Sequence, residues 1–249
     1  MISWSNITLD IWIECMNIIT DDSISDDDKE LNVLSIVLDR PLEEIENMPW
    51  EDLEKLDIDS SFFIGSVPQH EAKLVIDGVE LVPIRLNKLE FGAFIDLEAI
   101  LSNPNGYLND LPRFFSILFR AKLLDHSTLY VGQVEKYGDW ARHRSHLMSS
   151  QPITKLYHTL IEYMEFRKKL FNSYKGLFEE KEDLSNDDLT GLSAKEREEI
   201  QKTERIQKWG WELLLLKLTV DQPLMIDKAT EMPILEALNL LSMYQELSL

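Results

Sequence analysis

Lys73-Leu74-Val75-Ile76-Asp77-Gly78-Val79-Glu80-Leu81-Val82 is the stretch whose pattern decides the fold class. Residues of strand character stand on both sides of Asp77-Gly78, the dipeptide that a two-residue hairpin turn of the primed type favours because its central residues take positive φ. Gly78 adopts that conformation with no Cβ penalty. Pro83 has no N–H to give a ladder and marks either an edge or the end of the second strand. A two-stranded hairpin is not stable alone in water, so it must pack on helices or pair with a partner.

Outward from the hairpin the apolar residues recur at helical spacing. On the N-terminal side, Thr8 can cap a helix with Leu9, Trp12, Ile13, Met16 and Ile19 on one stripe, followed by solvated acid from Asp21 to Asp28. A second helix carries Leu31, Leu34, Val37 and Leu38; Asp39 and Pro41 start a third with Leu42, Ile45 and Met48 inward; Pro49 begins a fourth with Trp50, Leu53 and Leu56. On the C-terminal side, helix resumes from Phe94, breaks at Asn103-Pro104-Asn105-Gly106, and continues through Leu111, Phe115, Leu118 and Phe119. Residues 125 to 139 read as a polar loop, and Pro152 opens a long helix through Phe171. Glu179 to Asp188 reads as an acidic linker, Ser193 caps a run through Leu218, and Pro233 begins the last helix with Ile234, Leu235, Leu238 and Leu241 inward. The expectation is a mainly α protein with a small β-hairpin insertion (α+β). Its parts are an acidic helical region over 1–60, a hairpin-containing helical domain over 61–178, and a C-terminal helical segment over 189–249.

Composition bounds the function. The protein has 249 residues, 44% hydrophobic and 28% charged, which suits a folded protein rather than a disordered tail. A single cysteine, Cys15, excludes an intramolecular disulfide framework and a multi-thiolate zinc site, and fits a reducing compartment. No apolar segment approaches the length that a bilayer span needs, and the N-terminus lacks the features of a secretory signal. Net charge is −20 and is segregated: residues 1–60 carry −14, residues 61–110 carry −4, residues 111–175 carry +6 and residues 176–249 carry −8. So negative a field opposes non-specific binding to nucleic acid or anionic lipid, while the basic middle can attract acidic segments.

No catalytic motif is present: there is no G-x-S-x-G, no GxxxxGK[ST], no HExxH and no GxGxxG. His143 and His146 would share a helix face, yet Arg142 and Arg144 flank them and would repel a cation. Asp26-Asp27-Asp28 with Glu30 lacks the spacing, glycine and closing glutamate of a calcium loop and reads as a solvated cap. Cys15, one turn from Trp12, reads as a small buried hydrophobe. These residues predict no enzyme, no cofactor and no metal site. Arg142, Arg144, Arg167, Lys168 and Lys169 form the densest basic patch, and within so acidic a protein they suit an acidic protein surface better than nucleic acid. Trp50, Trp209 and Trp211 read as core or interface anchors.

Taken in order, the opening Trp4-Ser5-Asn6-Ile7-Thr8-Leu9, the hairpin at Val75 to Val82, the basic helix from Pro152 to Phe171, Trp209-Gly210-Trp211 and Pro233-Ile234-Leu235 form a recognisable series. This order resembles that of morphogenesis proteins of tailed bacteriophages, both tail-assembly-chaperone-like proteins and neck or ring proteins. The resemblance implies a non-enzymatic protein that binds other assembly or virion components: a helical tape-measure protein for a chaperone, or tail, portal and neck components and copies of itself for a ring. It places the protein in the host cytoplasm during assembly, or in the virion if structural. A reading from a different class, motivated by charge alone, is an acidic DNA mimic that inhibits a host defence protein.

Overall fold

The computed structural model describes residues 4–49, 51–52, 67–68, 73–103, 106–122, 134–138, 140–178, 210–219 and 222–247. The expected fourth N-terminal helix beyond 52, the 179–188 linker and the run over 193–209 lie outside the described residues, as do Trp50 and Trp209.

The protein is mainly α with a small antiparallel sheet. Helix α1 (Leu9–Ile19) starts where Thr8 Oγ1 accepts the Ile11 N–H at 3.4 Å, and it buries Leu9, Trp12, Ile13 and Cys15. Helix α2 (Asp26–Leu38) has a reciprocal cap, with Ser25 Oγ accepting the Asp28 N–H at 3.2 Å and donating to Asp28 Oδ2 at 2.6 Å. Asp26, Asp27 and Asp28 thus sit in the first turn, where the helix dipole favours negative charge. Asp39 does not start the third helix as its position after Leu38 suggests. It ends α2 in the left-handed conformation, φ 50°, while the Arg40 N–H bonds Ser35 O at 3.0 Å. Helix α3 (Leu42–Glu46) follows Pro41 and buries Ile45. Helix α1 packs on α2, and α2 on α3.

Strands β1 (Leu74–Ile76) and β2 (Val79–Pro83) form the expected hairpin, pairing Leu74 with Leu81, Val75 with Glu80 and Ile76 with Val79. Asp77 (φ 51°) and Gly78 (φ 78°) both take the positive φ of the primed turn. After helix α4 (Phe91–Leu101), helix α5 (Leu111–Leu118) carries Pro112 in its first turn and buries Phe114, Phe115, Ile117 and Leu118. The apolar run does not stay helical through Phe119. Strand β3 (Phe119–Ala121) leaves α5 and pairs with β2, so β2 is the central strand and Pro83 marks its end rather than an edge. This pairing supplies the support a lone hairpin lacks.

Helix α6 (Trp140–Ser149) packs against α5, and helix α7 (Ile153–Ser173) runs for 21 residues. Then come α8 (Lys175–Phe178), α9 over 210–218, α10 (Ile226–Thr230) and α11 (Ile234–Glu246). Two compact units result: unit 1 takes Met1–Ile84 and Leu97–Met164, unit 2 takes Arg85–Asp96 and Glu165–Leu249. These divisions differ from the sequence boundaries at 60 and 178, and α4 and α7 each give residues to both units.

In unit 1, the Leu9 N–H bonds Gln151 O and the Ile153 N–H bonds Ile7 O, both at 2.9 Å, tying the N-terminal segment to the start of α7. Phe114 meets Tyr163 edge-on at 5.2 Å, and the Tyr163 hydroxyl donates to the buried Glu98 carboxylate at 3.2 Å. In unit 2, the Phe91 N–H bonds Met232 O and the Ile234 N–H bonds Leu89 O, both at 2.8 Å. Helix α11 buries Ile234, Ala237, Leu238 and Leu241, as its spacing predicts except at Leu235, which is half-buried.

Candidate interaction surfaces

The two ends of the predicted basic patch fall in different units: Arg142 and Arg144 on α6 in unit 1, Arg167, Lys168 and Lys169 on α7 in unit 2. Arg142, Lys168 and Lys169 are exposed to solvent. Arg167 is half-buried, its guanidinium 4.6 Å from the centre of the Phe171 ring. Arg144 is committed within its own unit, stacked 4.7 Å from Trp140 and paired through both guanidinium nitrogens with Glu135.

That pairing belongs to a constellation inside the stretch read as a polar loop. Arg120 on β3 is fully buried, with its guanidinium 5.4 Å from the Tyr137 ring and 5.3 Å from the Trp140 ring. Its Nε donates to Ile117 O at 2.7 Å and its Nη1 to Glu135 O at 3.3 Å. Glu135 gathers most of the remaining contacts: its N–H donates to Ala121 O at 2.9 Å, its Oε1 accepts the Ala121 N–H at 2.8 Å, and its Oε2 accepts from Arg144 Nη2 at 3.1 Å. A buried cation keeps its charge only when paired and hydrogen-bonded. The one sequence signal for this arrangement is an arginine interrupting the apolar run before Ala121.

Trp211 is half-buried in the aromatic cluster of unit 2, edge-on to Phe91 at 6.0 Å and to Phe94 at 5.1 Å, and tilted against Phe171 at 6.5 Å. It acts as a core anchor of that unit. Cys15 is buried, as read; burial above all, together with the charge of Glu14, pushes its thiol up to about 12. His143 and His146 are exposed on α6, and among the described residues no group of three or more His, Cys, Asp or Glu is arranged to hold a metal ion.

Unit 2 also presents apolar surface. Leu224 is 95% exposed in the short turn Pro223–Met225, and Leu247 and Met243 are exposed at the end of α11. In α9, Leu213, Leu214, Leu215 and Leu216 point to successive sides of the helix, yet all four are only half-buried. Glu212 and Lys217 of the same helix are exposed. Unit 1 exposes Asp22, Asp26, Asp27, Asp28, Glu43 and Glu44 and also the apolar side chains of Val75, Val79, Tyr107, Ile161 and Met164. No helix among the described residues is long and apolar enough to cross a membrane. No protein-family model, curated protein or solved structure matches this sequence.

Proposed function

We propose that the protein is a non-enzymatic bacteriophage assembly protein that works through protein contacts, in the manner of a tail-assembly chaperone. The observation that supports this most is the apolar surface of unit 2, where Leu224, Met243 and Leu247 are exposed and the four consecutive leucines Leu213 to Leu216 of α9 are only half-buried. Such surface suits an amphipathic helix, which lays its own apolar face into an apolar groove. The acidic helices of unit 1 and the net charge of −20 keep a carrier of that kind soluble and apart from its copies. The resemblance of the order of sequence blocks to that of tailed-phage morphogenesis proteins suggests the class of partner, a long tape-measure-type helix.

Charge segregation favours a second reading, a neck or ring protein. The acids of α2 and α3 in one copy would face the exposed cations of a neighbour across a heterologous contact.

The test is co-expression with the tape-measure-type protein of the same phage. The triple variant Leu224→Asp, Met243→Asp and Leu247→Asp should keep its helical circular dichroism and lose co-purification of the partner, which then precipitates. Full retention of the soluble complex would overturn the chaperone reading.

A further inference from the structure

We infer that the outward face of α11 is a seat for a basic amphipathic helix of a partner protein. The inference rests on the assembly role proposed above for the kind of occupant, a helix, and adds its charge and its place.

Helix α11 is apolar on two opposite sides. Ile234, Ala237, Leu238 and Leu241 turn inward and are buried. Glu236, Leu240, Met243 and Leu247 follow one another at spacings of four, three and four, which lines them along the side of the helix away from that core. Leu240 is half-buried, Met243 is 44% exposed and Leu247 59% exposed. A helix on the surface of one core ordinarily turns polar side chains outward. The flank of α11 is anchored: the Tyr174 hydroxyl donates to Asn239 Oδ1 at 2.7 Å and Gln245 Nε2 donates to Gly176 O at 2.9 Å. These bonds reach the last turn, so the outer stripe is preorganised rather than carried on a fraying end.

Charge around the stripe chooses the occupant. Glu236 heads it and Glu246 stands beside Leu247, both exposed, and α11 contains no Lys or Arg. Its last turn therefore lacks the cation that complements the negative end of a helix dipole. A helix laid along Leu240, Met243 and Leu247, with Lys or Arg beside its own apolar stripe, answers both acids and the dipole. Met243 suits such an occupant, because an unbranched thioether side chain moulds to varied apolar surfaces. A second copy of the protein does not. Two α11 helices joined through these faces would gather four glutamates with no cation in either helix, between chains that each carry −20. An anionic bilayer is repelled for the same reason.

The probes are two synthetic helical peptides with leucine at heptad positions a and d, one with lysine and its twin with glutamate at e and g. Binding to the full-length protein is read by fluorescence anisotropy at about 0.15 M salt. Wild type should bind the lysine peptide at least about tenfold more tightly than the twin. Met243→Ser with Leu247→Ser, both at exposed positions, should weaken the lysine peptide by a similar factor while helical circular dichroism is kept. Glu236→Gln with Glu246→Gln should weaken it at least about fivefold, whereas the equal charge change Asp26→Asn with Asp27→Asn on α2 should stay within about twofold. Should the serine pair lose its helical signal, the two charge-matched pairs decide.

Equal binding of the two peptides, indifference to the serine pair, or an α2 pair as damaging as the α11 pair overturns the inference. Sedimentation of wild type showing self-association that the serine pair abolishes makes the occupant a second copy and also overturns it. The two proposals fail separately. If the lysine peptide seats on α11 but the tape-measure-type protein does not co-purify with wild type, the chaperone reading falls and the seat stands. If that protein co-purifies equally with wild type and with both α11 pairs, the seat falls and the chaperone reading stands.

Discussion

At the residue scale, individual residues carry testable chemistry. Cys15 is 1% exposed and its thiol is pushed up to about 12 by burial and by Glu14, so the nucleophilic thiolate is scarce in the folded protein. The native protein should resist a disulfide reagent at pH 8 and react once unfolded by denaturant; rapid native modification would contradict this placement. Glu80 behaves in the opposite sense. Partial desolvation raises its carboxyl, but hydrogen bonds and charge from Lys122 and Lys73, both at 3.3 Å, outweigh that and hold it below the usual carboxylate range. A carboxyl lowered in the folded state stabilises the protein above the unfolded pKa and loses that contribution as pH falls through the folded one. Glu80→Gln should therefore be less stable than wild type at neutral pH, with the gap closing as pH drops below the carboxylate range. A gap independent of pH would contradict the clamp. The two environments are not equally visible in the sequence: Cys15 is legible because its helix stripe is local, whereas Glu80 meets Lys122 across 42 positions.

At the element scale, the same division between local and distant determinants holds. The hairpin is legible because its turn chemistry lies within two adjacent residues, Asp77 and Gly78. Gly78→Ala places a Cβ at φ 78° and should cost about 1 kcal/mol by chemical denaturation, while Asp77→Asn, which tolerates that region, should be nearly neutral. Equal stability of wild type and Gly78→Ala would show that the turn is not of this type in solution. Strand β3 is not legible, because Phe119 continues the apolar period of α5 and only the free edge of β2, distant in sequence, draws it into a strand. Asp39 misleads for a related reason: aspartate serves both as a helix start and as a left-handed helix end, and the bond from the Arg40 N–H to Ser35 O decides between them. The constellation around Glu135 is hidden most thoroughly, since its members come from β3, the 134–138 segment and α6, and look in sequence like loop residues and a basic patch.

At the scale of the whole molecule, the acid is unevenly distributed between the two units. Unit 1 carries most of the described acid, and exposed apolar side chains occur in both units, Val75, Val79, Tyr107, Ile161 and Met164 in unit 1 and Leu224, Met225, Met243 and Leu247 in unit 2. Under the proposed function, the acid keeps the protein apart from its copies while the exposed side chains of unit 2 hold an apolar helix. The acidic bias and the helical class are legible from composition and periodicity. The exposed leucines are not, because apolar residues at helical spacing look the same in sequence whether a neighbour covers them or not.

The most direct test is quantitative mass spectrometry of this protein in phage-infected cells beside purified particles of the same phage. A tail-assembly chaperone is expected to be abundant in the lysate, in complex with the tape-measure protein, and absent from finished particles. A fixed number of copies per particle would contradict the chaperone reading in favour of the ring, and absence from both lysate and particles would contradict a role in phage assembly altogether.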